Sequence, residues 1–176
     1  MRFTPTAIDG VMIVEPDLHC DARGFFTRLS CPDEFAAAGL VFEPRQTSLS
    51  RNLARHTLRG MHYCSEPEAK LVRCTRGRIF DAVFDIRPAS PTYSHAFGVE
   101  LDAENARGLF IPAGLAHGFV TIEPNTDVLY QIDRIYRPGF DAGLRWNDPL
   151  FSFVWPAQPV VMDGRDAGYP DFRPAP

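Results

Sequence analysis

The sequence has no hydrophobic run long enough to cross a membrane, because every apolar stretch of its 176 residues falls far short of the ~20 residues that a spanning helix needs. The N-terminus also lacks the basic-then-apolar layout of a signal peptide, which predicts a cytoplasmic protein. The sequence also has no excess of basic over acidic residues. The net charge is -4, which is atypical of a non-specific nucleic-acid binder. We therefore expect neither a membrane nor a nucleic acid as partner.

Patterns typical of metal sites are missing too. The four cysteines have no C-x-x-C spacing, which predicts free, packed thiols: Cys20, Cys31, Cys64 and Cys74. The run His62-Tyr63-Cys64 stands where a cupin-type metal site would have His-x-His, and two histidines without a placed carboxylate make a poor ligand set. We expect no metal.

Short apolar or alternating runs, separated by turn residues among the 16 prolines and 13 glycines, predict an all-β sandwich or barrel. Only residues 32–39 indicate a helix, with Pro32 in the first turn, acidic residues after it and Gly39 at the end. No βαβ alternation is present. We expect one domain over residues 1–176, with a core at about 10–155 and an irregular tail at 156–176.

Three side-chain types could carry chemistry: histidine, lysine and tyrosine. In an extended run, alternation puts Leu58, Gly60 and His62 on one face and Arg59 on the other, so the imidazole would lie on an inner wall. His62 could equally be a satisfied core histidine, and His117 a turn histidine that caps the backbone. Lys70, the only lysine, could be a solvated strand-edge residue or could face an anion.

Two tyrosines, Tyr130 and Tyr136, are six residues apart and share a face if their strand is unbroken. They could be core aromatics with hydroxyls at the rim, or a proton donor and a stacking platform.

Seven stretches in a fixed order carry a resemblance to a known family. They are DARGFF (21–26), LRGMHY (58–63), KLVRC (70–74), FDAVFDIR (80–87), SPTY (90–93), IPAGLAHGF (111–119) and WNDP (146–149). With them the sequence resembles the dTDP-4-dehydrorhamnose 3,5-epimerases, cupin-like jelly-roll enzymes of nucleotide-sugar biosynthesis. The resemblance implies an isomerase of carbohydrate biosynthesis that needs no cofactor.

The resemblance implies four catalytic roles. His62 is the expected base that removes a sugar proton beside the C4 ketone, and Asp166 orients it. Lys70 is expected to stabilise the enolate oxygen, and Tyr130 to return a proton from the opposite face. These roles agree with the chemistry, because a ketone acidifies the neighbouring C–H and a histidine near neutral pKa can remove that proton.

The resemblance also implies a binding set for a nucleotide-diphosphate sugar. Tyr136 is expected to stack on the nucleobase, and the remaining members contact the diphosphate or line the pocket: Arg23, Gln46, Arg59, His117 and Arg165. A homodimer is implied, in which the neighbour's N-terminal segment contributes near the site.

The sequence departs from the family at two places. Arg28 stands where the family commonly has Glu, and Thr47-Ser48 replaces an Asp-Asn pair. These changes leave open the nucleotide base and whether C3, C5 or both are inverted. A sugar 3,4-ketoisomerase and a non-catalytic or metal-binding cupin remain the alternatives.

Overall fold

A computed structural model describes residues 1–174, so the last two residues of the predicted tail lie outside it. Besides a 3₁₀ helix (Pro149–Phe151), thirteen strands and two short α-helices make up the regular structure. They are β1 (Arg2–Pro5), β2 (Met12–Glu15), β3 (His19–Asp21), β4 (Gly24–Phe26), α1 (Pro32–Ala37), β5 (Gln46–Asn52), β6 (Leu58–Cys64), β7 (Lys70–Arg76), β8 (Arg78–Asp85), β9 (Ala96–Asp102), β10 (Gly108–Ile111), β11 (Leu115–Thr121), β12 (Thr126–Ile132), β13 (Asp141–Gly143) and α2 (Gly164–Ala167).

The strands form two antiparallel sheets that face each other. One sheet has the order β1-β2-β10-β7-β12-β5 and the other β13-β6-β11-β8-β9, while β3 and β4 pair as a separate hairpin. From β5 onward the chain crosses between the two sheets at almost every step, and only β8 and β9 are consecutive strands of one sheet. This arrangement confirms the predicted all-β jelly-roll class. No helix within residues 1–174 is long and apolar enough to cross a membrane.

The main core lies between the two sheets. Val72 and Val128 of one sheet pack in the same cluster as Val83 and Phe119 of the other, and all four are fully buried. Alternate residues of each strand supply this face, which is the period-two pattern that the sequence displayed. Burial of such a side chain contributes about 1.5–3 kcal/mol. Tyr130, one of the predicted site residues, packs against this core.

Two further layers cover the outer faces of the sheets. Phe35 of α1 packs against Phe110 of the six-stranded sheet, with ring centroids 5.7 Å apart, so the predicted helix is present and serves to cover the sheet. The chain after β13 packs Phe151 and Trp155 against the five-stranded sheet. The expectation of a wholly irregular tail was wrong, because Asp163 caps a four-residue helix, α2, by accepting a hydrogen bond from the Arg165 amide at 2.8 Å.

The cysteines are all free, as predicted. Cys74 is buried, whereas Cys20 is exposed on the β3–β4 hairpin, so the expectation that every thiol is packed was wrong for that residue.

The simple alternation expected for β6 was also wrong. β6 pairs with β11 through His62 opposite His117 and Arg59 opposite Phe119, so three steps on β6 match two on β11. This bulge shifts the phase of the strand. Arg59 and His62 consequently share the inner side, while Leu58 and Met61 pack together in the outer layer.

Candidate active site

A cavity of about 420 Å³ opens between the sheets and contains most of the predicted site residues. Eight of the ten line it: Gln46, Arg59, His62, Lys70, His117, Tyr130, Tyr136 and Arg165. Asp166 lies behind His62, in contact with its ring. Only Arg23 lies elsewhere. Strands from both sheets meet here, so residues far apart in sequence surround one space.

His62 is held by a buried carboxylate. Its Nε2 lies 2.7 Å from Oδ1 of Asp166, and the second carboxylate oxygen accepts the Gly60 amide at 2.9 Å. Burial alone would raise the pKa of Asp166, but the hydrogen bonds from His62 and Gly60 outweigh it and hold that pKa below its ordinary value. A carboxylate only accepts, so Nε2 carries a proton and Nδ1 is the nitrogen left free to act as a base. The imidazole is 41% exposed, which gives it access to a ligand.

Gly60 makes this geometry attainable. Its φ of +132° lies in a region that side chains rarely adopt, and a Cβ there would meet the Gly118 Cα of the neighbouring strand at 2.5 Å. The close approach of β6 and β11 at this point coincides with the bulge that turns His62 inward. Gly60 therefore supports the site in two ways, through its shape and through its amide.

Tyr130 enters the cavity from the opposite sheet. It lies on β12 between Val72 and Ser48, and its ring packs edge to face with His117 at 6.2 Å between centroids. Burial, followed by the negative charge of Asp81, raises the pKa of the phenol far above its ordinary value. The hydroxyl is therefore protonated at any physiological pH. The strand ends at Ile132, so Tyr130 and Tyr136 do not share one unbroken strand as supposed, although both line the cavity.

Lys70 begins β7, where it pairs in register with Ile132. Its ammonium lies 3.2 Å from the Glu68 carboxylate, and both side chains are about seven-eighths buried, at 14% and 13% exposure. A buried ammonium keeps more of its electrostatic effect than a solvated one. Lys70 is thus a fixed cation in the cavity wall and not a solvated edge lysine.

His117 forms a second pair with a carboxylate. Its Nε2 lies 2.8 Å from Oδ1 of Asp81, a residue of β8, and both side chains are buried. The alternative of a turn histidine that caps the backbone does not describe this contact, because the partner is a side chain and His117 lies within β11.

Three arginines with polar partners surround the cavity. Arg59 donates to Asn52 Oδ1 at 2.8 Å, and Arg165 donates to the Asp141 carbonyl at 3.2 Å. Arg134 lies over the Phe140 ring at 5.6 Å, and its Nη1 is 2.8 Å from the Cys64 sulfur. Fixed guanidinium groups of this kind suit bidentate contacts to phosphate.

Sequence reasoning missed five lining residues: Ser50, Glu68, Ile132, Arg134 and Asp141. Arg134 lies between the two tyrosines that were singled out, and that position was the available signal. Nothing in the pattern pointed to Glu68 or Asp141.

Tyr136 and Gln46 lie at the rim of the cavity. The Tyr136 amide donates to Gln46 Oε1 at 2.8 Å, and its ring is 55% exposed. A hydrogen bond with Asp141 raises the pKa of its phenol. An exposed ring beside a polar pocket can stack on a planar ligand.

Arg23 and Arg28 lie outside this cavity. Arg23 is at the tip of the β3–β4 hairpin, where its side chain is 89% exposed and pairs with Asp21. Arg28 pairs with Glu34 at 2.9 Å. Within one chain, therefore, neither residue meets a ligand held between the sheets. Ser48, in contrast, lies directly opposite Tyr130 on β5.

Comparison with known proteins gives a consistent result. Residues 5–174 match the family model described as dTDP-4-dehydrorhamnose 3,5-epimerase. A protein of that name from Methanothermobacter thermautotrophicus is 37% identical, with 99% of this chain and 96% of the relative covered.

Solved structures agree. The dTDP-6-deoxy-D-glucose-3,5-epimerase of Legionella pneumophila, in complex with dTDP-4-keto-L-rhamnose, superposes with a TM-score of 0.91 at 33% identity, covering 97% of this chain and 92% of that one. ChmJ, a 3'-monoepimerase from Streptomyces bikiniensis in complex with dTDP-quinovose, gives 0.88 at 30% identity, with 95% and 86% covered. The predicted isomerase class is confirmed, and the chain belongs to the dTDP-4-dehydrorhamnose 3,5-epimerase family.

Proposed function

We propose that the protein inverts C3, C5 or both of a nucleotide-linked 4-keto-6-deoxy hexose, with dTDP-4-dehydro-6-deoxyglucose as substrate and dTDP-4-dehydrorhamnose as product. One observation carries the proposal. A carboxylate-held imidazole and a partly buried phenol, those of His62 and Tyr130, come from opposing sheets and line one cavity. The family and the dTDP-sugars named with its solved members support the substrate class.

The first step removes a proton from the carbon next to the C4 ketone. Nδ1 of His62 takes the proton, and the electron pair of the broken C–H bond moves through carbon to the C4 oxygen. The imidazolium that forms is stabilised by Asp166, which already accepts the Nε2 proton. General base catalysis of this kind contributes about 10²–10⁴-fold to a rate.

The enolate oxygen needs a positive neighbour while it exists. Lys70 supplies one, and Glu68 fixes the direction of its ammonium. Charge stabilisation by a group that is already in place costs no reorganisation during the step. Lys70 is therefore expected to lower the barrier more than it tightens substrate binding.

The second step returns a proton from the opposite side. Tyr130 donates its hydroxyl proton to the carbon, and the enolate electrons close the new C–H bond. The raised pKa of the Tyr130 phenol keeps its hydroxyl protonated before this step. Inversion follows because base and acid come from opposite sheets.

Binding of the nucleotide diphosphate uses the rim. Arg59 and Arg165 contact the phosphates, Gln46 and His117 line the pocket, and the exposed ring of Tyr136 stacks on the base. Local positive charge at the cavity lets a protein of net charge -4 hold an anion.

A homodimer completes the proposal. Arg23 extends from an exposed hairpin that also carries Phe26, 76% exposed, so the hairpin is free to reach the cavity of a second copy. Gel filtration at the monomer mass would count against this part. Four free thiols and a soluble nucleotide sugar agree with a reducing cytoplasm.

The experiment follows solvent deuterium and product together. In heavy water, dTDP-4-dehydro-6-deoxyglucose should gain deuterium at C3, C5 or both, and NMR should identify the epimer. His62→Ala should abolish exchange, while Tyr130→Phe should retain exchange and lose inverted product. Absence of exchange with folded wild-type protein would overturn the proposal for this substrate, and a product with its ketone at C3 would show a ketoisomerase instead.

A further inference from the structure

A buried carboxylate next to the site has no place in the mechanism above. Asp81 lies on β8 with its side chain fully buried, and one of its oxygens contacts His117 Nε2 at 2.8 Å. Its other oxygen, Oδ2, has no hydrogen-bond partner within residues 1–174. A buried carboxylate that leaves one oxygen unpaired is costly to fold, so its position needs an explanation.

Structural carboxylates in this protein look different. Asp85, four residues further along the same strand and equally buried, contacts Arg87, Ser90 and Thr92 through both oxygens. That carboxylate ties a loop to the barrel. Asp81 instead contacts one side chain, and that side chain lines the cavity. The contrast points to a role exerted through His117.

The contact fixes the protonation pattern of His117. A carboxylate only accepts, so Nε2 of His117 carries a proton and Nδ1 is the nitrogen left for a ligand. The contact also fixes the ring plane, against which the Tyr130 ring packs edge to face. Strand register places His117 directly opposite His62, so the two histidines flank the same space.

We propose that Asp81 is a positioning residue for the reprotonation half of the reaction. It holds His117, and through His117 it holds Tyr130 and the sugar in the geometry for proton return. Asp166 does the corresponding work for His62 in the deprotonation half. This inference rests on the proposed epimerase function.

The test separates the two halves of the reaction in Asp81→Asn. An asparagine of the same shape can turn its NH₂ group toward Nε2, which forces the His117 proton onto Nδ1. We expect the rate of deuterium uptake to stay within about 3-fold of wild type, while formation of inverted product falls at least about tenfold. Affinity for dTDP, measured by calorimetry, should change less than about 3-fold.

Asp85→Asn is the matched control, since it removes a buried carboxylate from the same strand away from the cavity. It should lower stability and leave the ratio of uptake to product unchanged. His117→Gln is a second, independent test of the same prediction. It should reproduce the altered ratio, and the double variant with Asp81→Asn should be no worse than His117→Gln alone, because Asp81 acts through His117.

Two results overturn the proposal. Equal losses of uptake and product in folded Asp81→Asn would mean a general structural role, and wild-type rates of both would mean no role in proton return. Absence of uptake with wild-type protein is a separate outcome, because it overturns the proposed function together with this inference.

Discussion

Replacement of Asp166 by asparagine tests the base directly. Each oxygen of the carboxylate accepts one hydrogen bond: Oδ1 accepts from His62 Nε2 at 2.7 Å, and Oδ2 accepts from the buried Gly60 amide at 2.9 Å. An asparagine has one oxygen. If that oxygen serves Gly60, its NH₂ group donates to His62, and the proton of the imidazole must then lie on Nδ1, where the base is needed.

The size of the effect follows from the cost of the opposite orientation of the asparagine, in which its oxygen faces His62. An asparagine oxygen turned toward His62 would place NH₂ against the Gly60 N–H, and a buried donor left without an acceptor costs about 1–3 kcal/mol. That cost reduces the active tautomer by roughly 5–150-fold. Loss of the negative charge beside the imidazolium adds to it. We therefore expect kcat to fall by about 10²–10⁴-fold.

The assay is the initial rate of deuterium uptake and of product formation, with folding verified by thermal unfolding. Asp163→Asn is the control. It lies three residues away at the cap of α2, where asparagine caps as well as aspartate, so activity should remain close to wild type. If Asp166→Asn keeps half or more of the wild-type kcat, the carboxylate does not set the state of the base.

Two further predictions concern stability. Gly60→Ala should lower the free energy of unfolding by at least about 2 kcal/mol in urea titrations, because a Cβ would meet the Gly118 Cα at 2.5 Å. The control is Gly164→Ala, which has open space around it and should change the free energy of unfolding by less than about 1 kcal/mol. Equal effects of the two substitutions would contradict the packing argument. Burial alone would raise the pKa of Asp85, but hydrogen bonds led by Arg87 outweigh it and lower that pKa to about 2, so Asp85→Asn should lose about 2 kcal/mol at pH 7. Since the folded pKa lies below the unfolded value, this contribution to stability is present above about pH 4 and is lost as the pH falls through about 2. If the difference in free energy of unfolding between wild type and Asp85→Asn does not narrow as the pH is lowered, the prediction is refuted.

Much of the fold was readable because it depends on local signals. The short apolar runs of β8 and β12 and the punctuation of α1 by Pro32 and Gly39 act within a few residues, so they can be recognised without the rest of the chain. The family could be identified for a related reason. Its motifs carry residue types in a fixed order, and that order survives at 37% identity.

The phase of β6 could not be predicted in the same way. Alternation along one strand assumes regular pairing, and the bulge exists only because β6 pairs with β11 and approaches it closely at Gly60. The sequence favoured an inward His62 and was right about the residue, yet it put Arg59 on the opposite face.

The sequence by itself determined an all-β protein and its family, because composition, period and motif order are local properties. Only the tertiary structure decided which groups meet. Asp166 is 104 residues from His62, and Asp81 is 36 residues from His117. Such contacts depend on strand order and register across two sheets, and no short stretch of sequence contains that information.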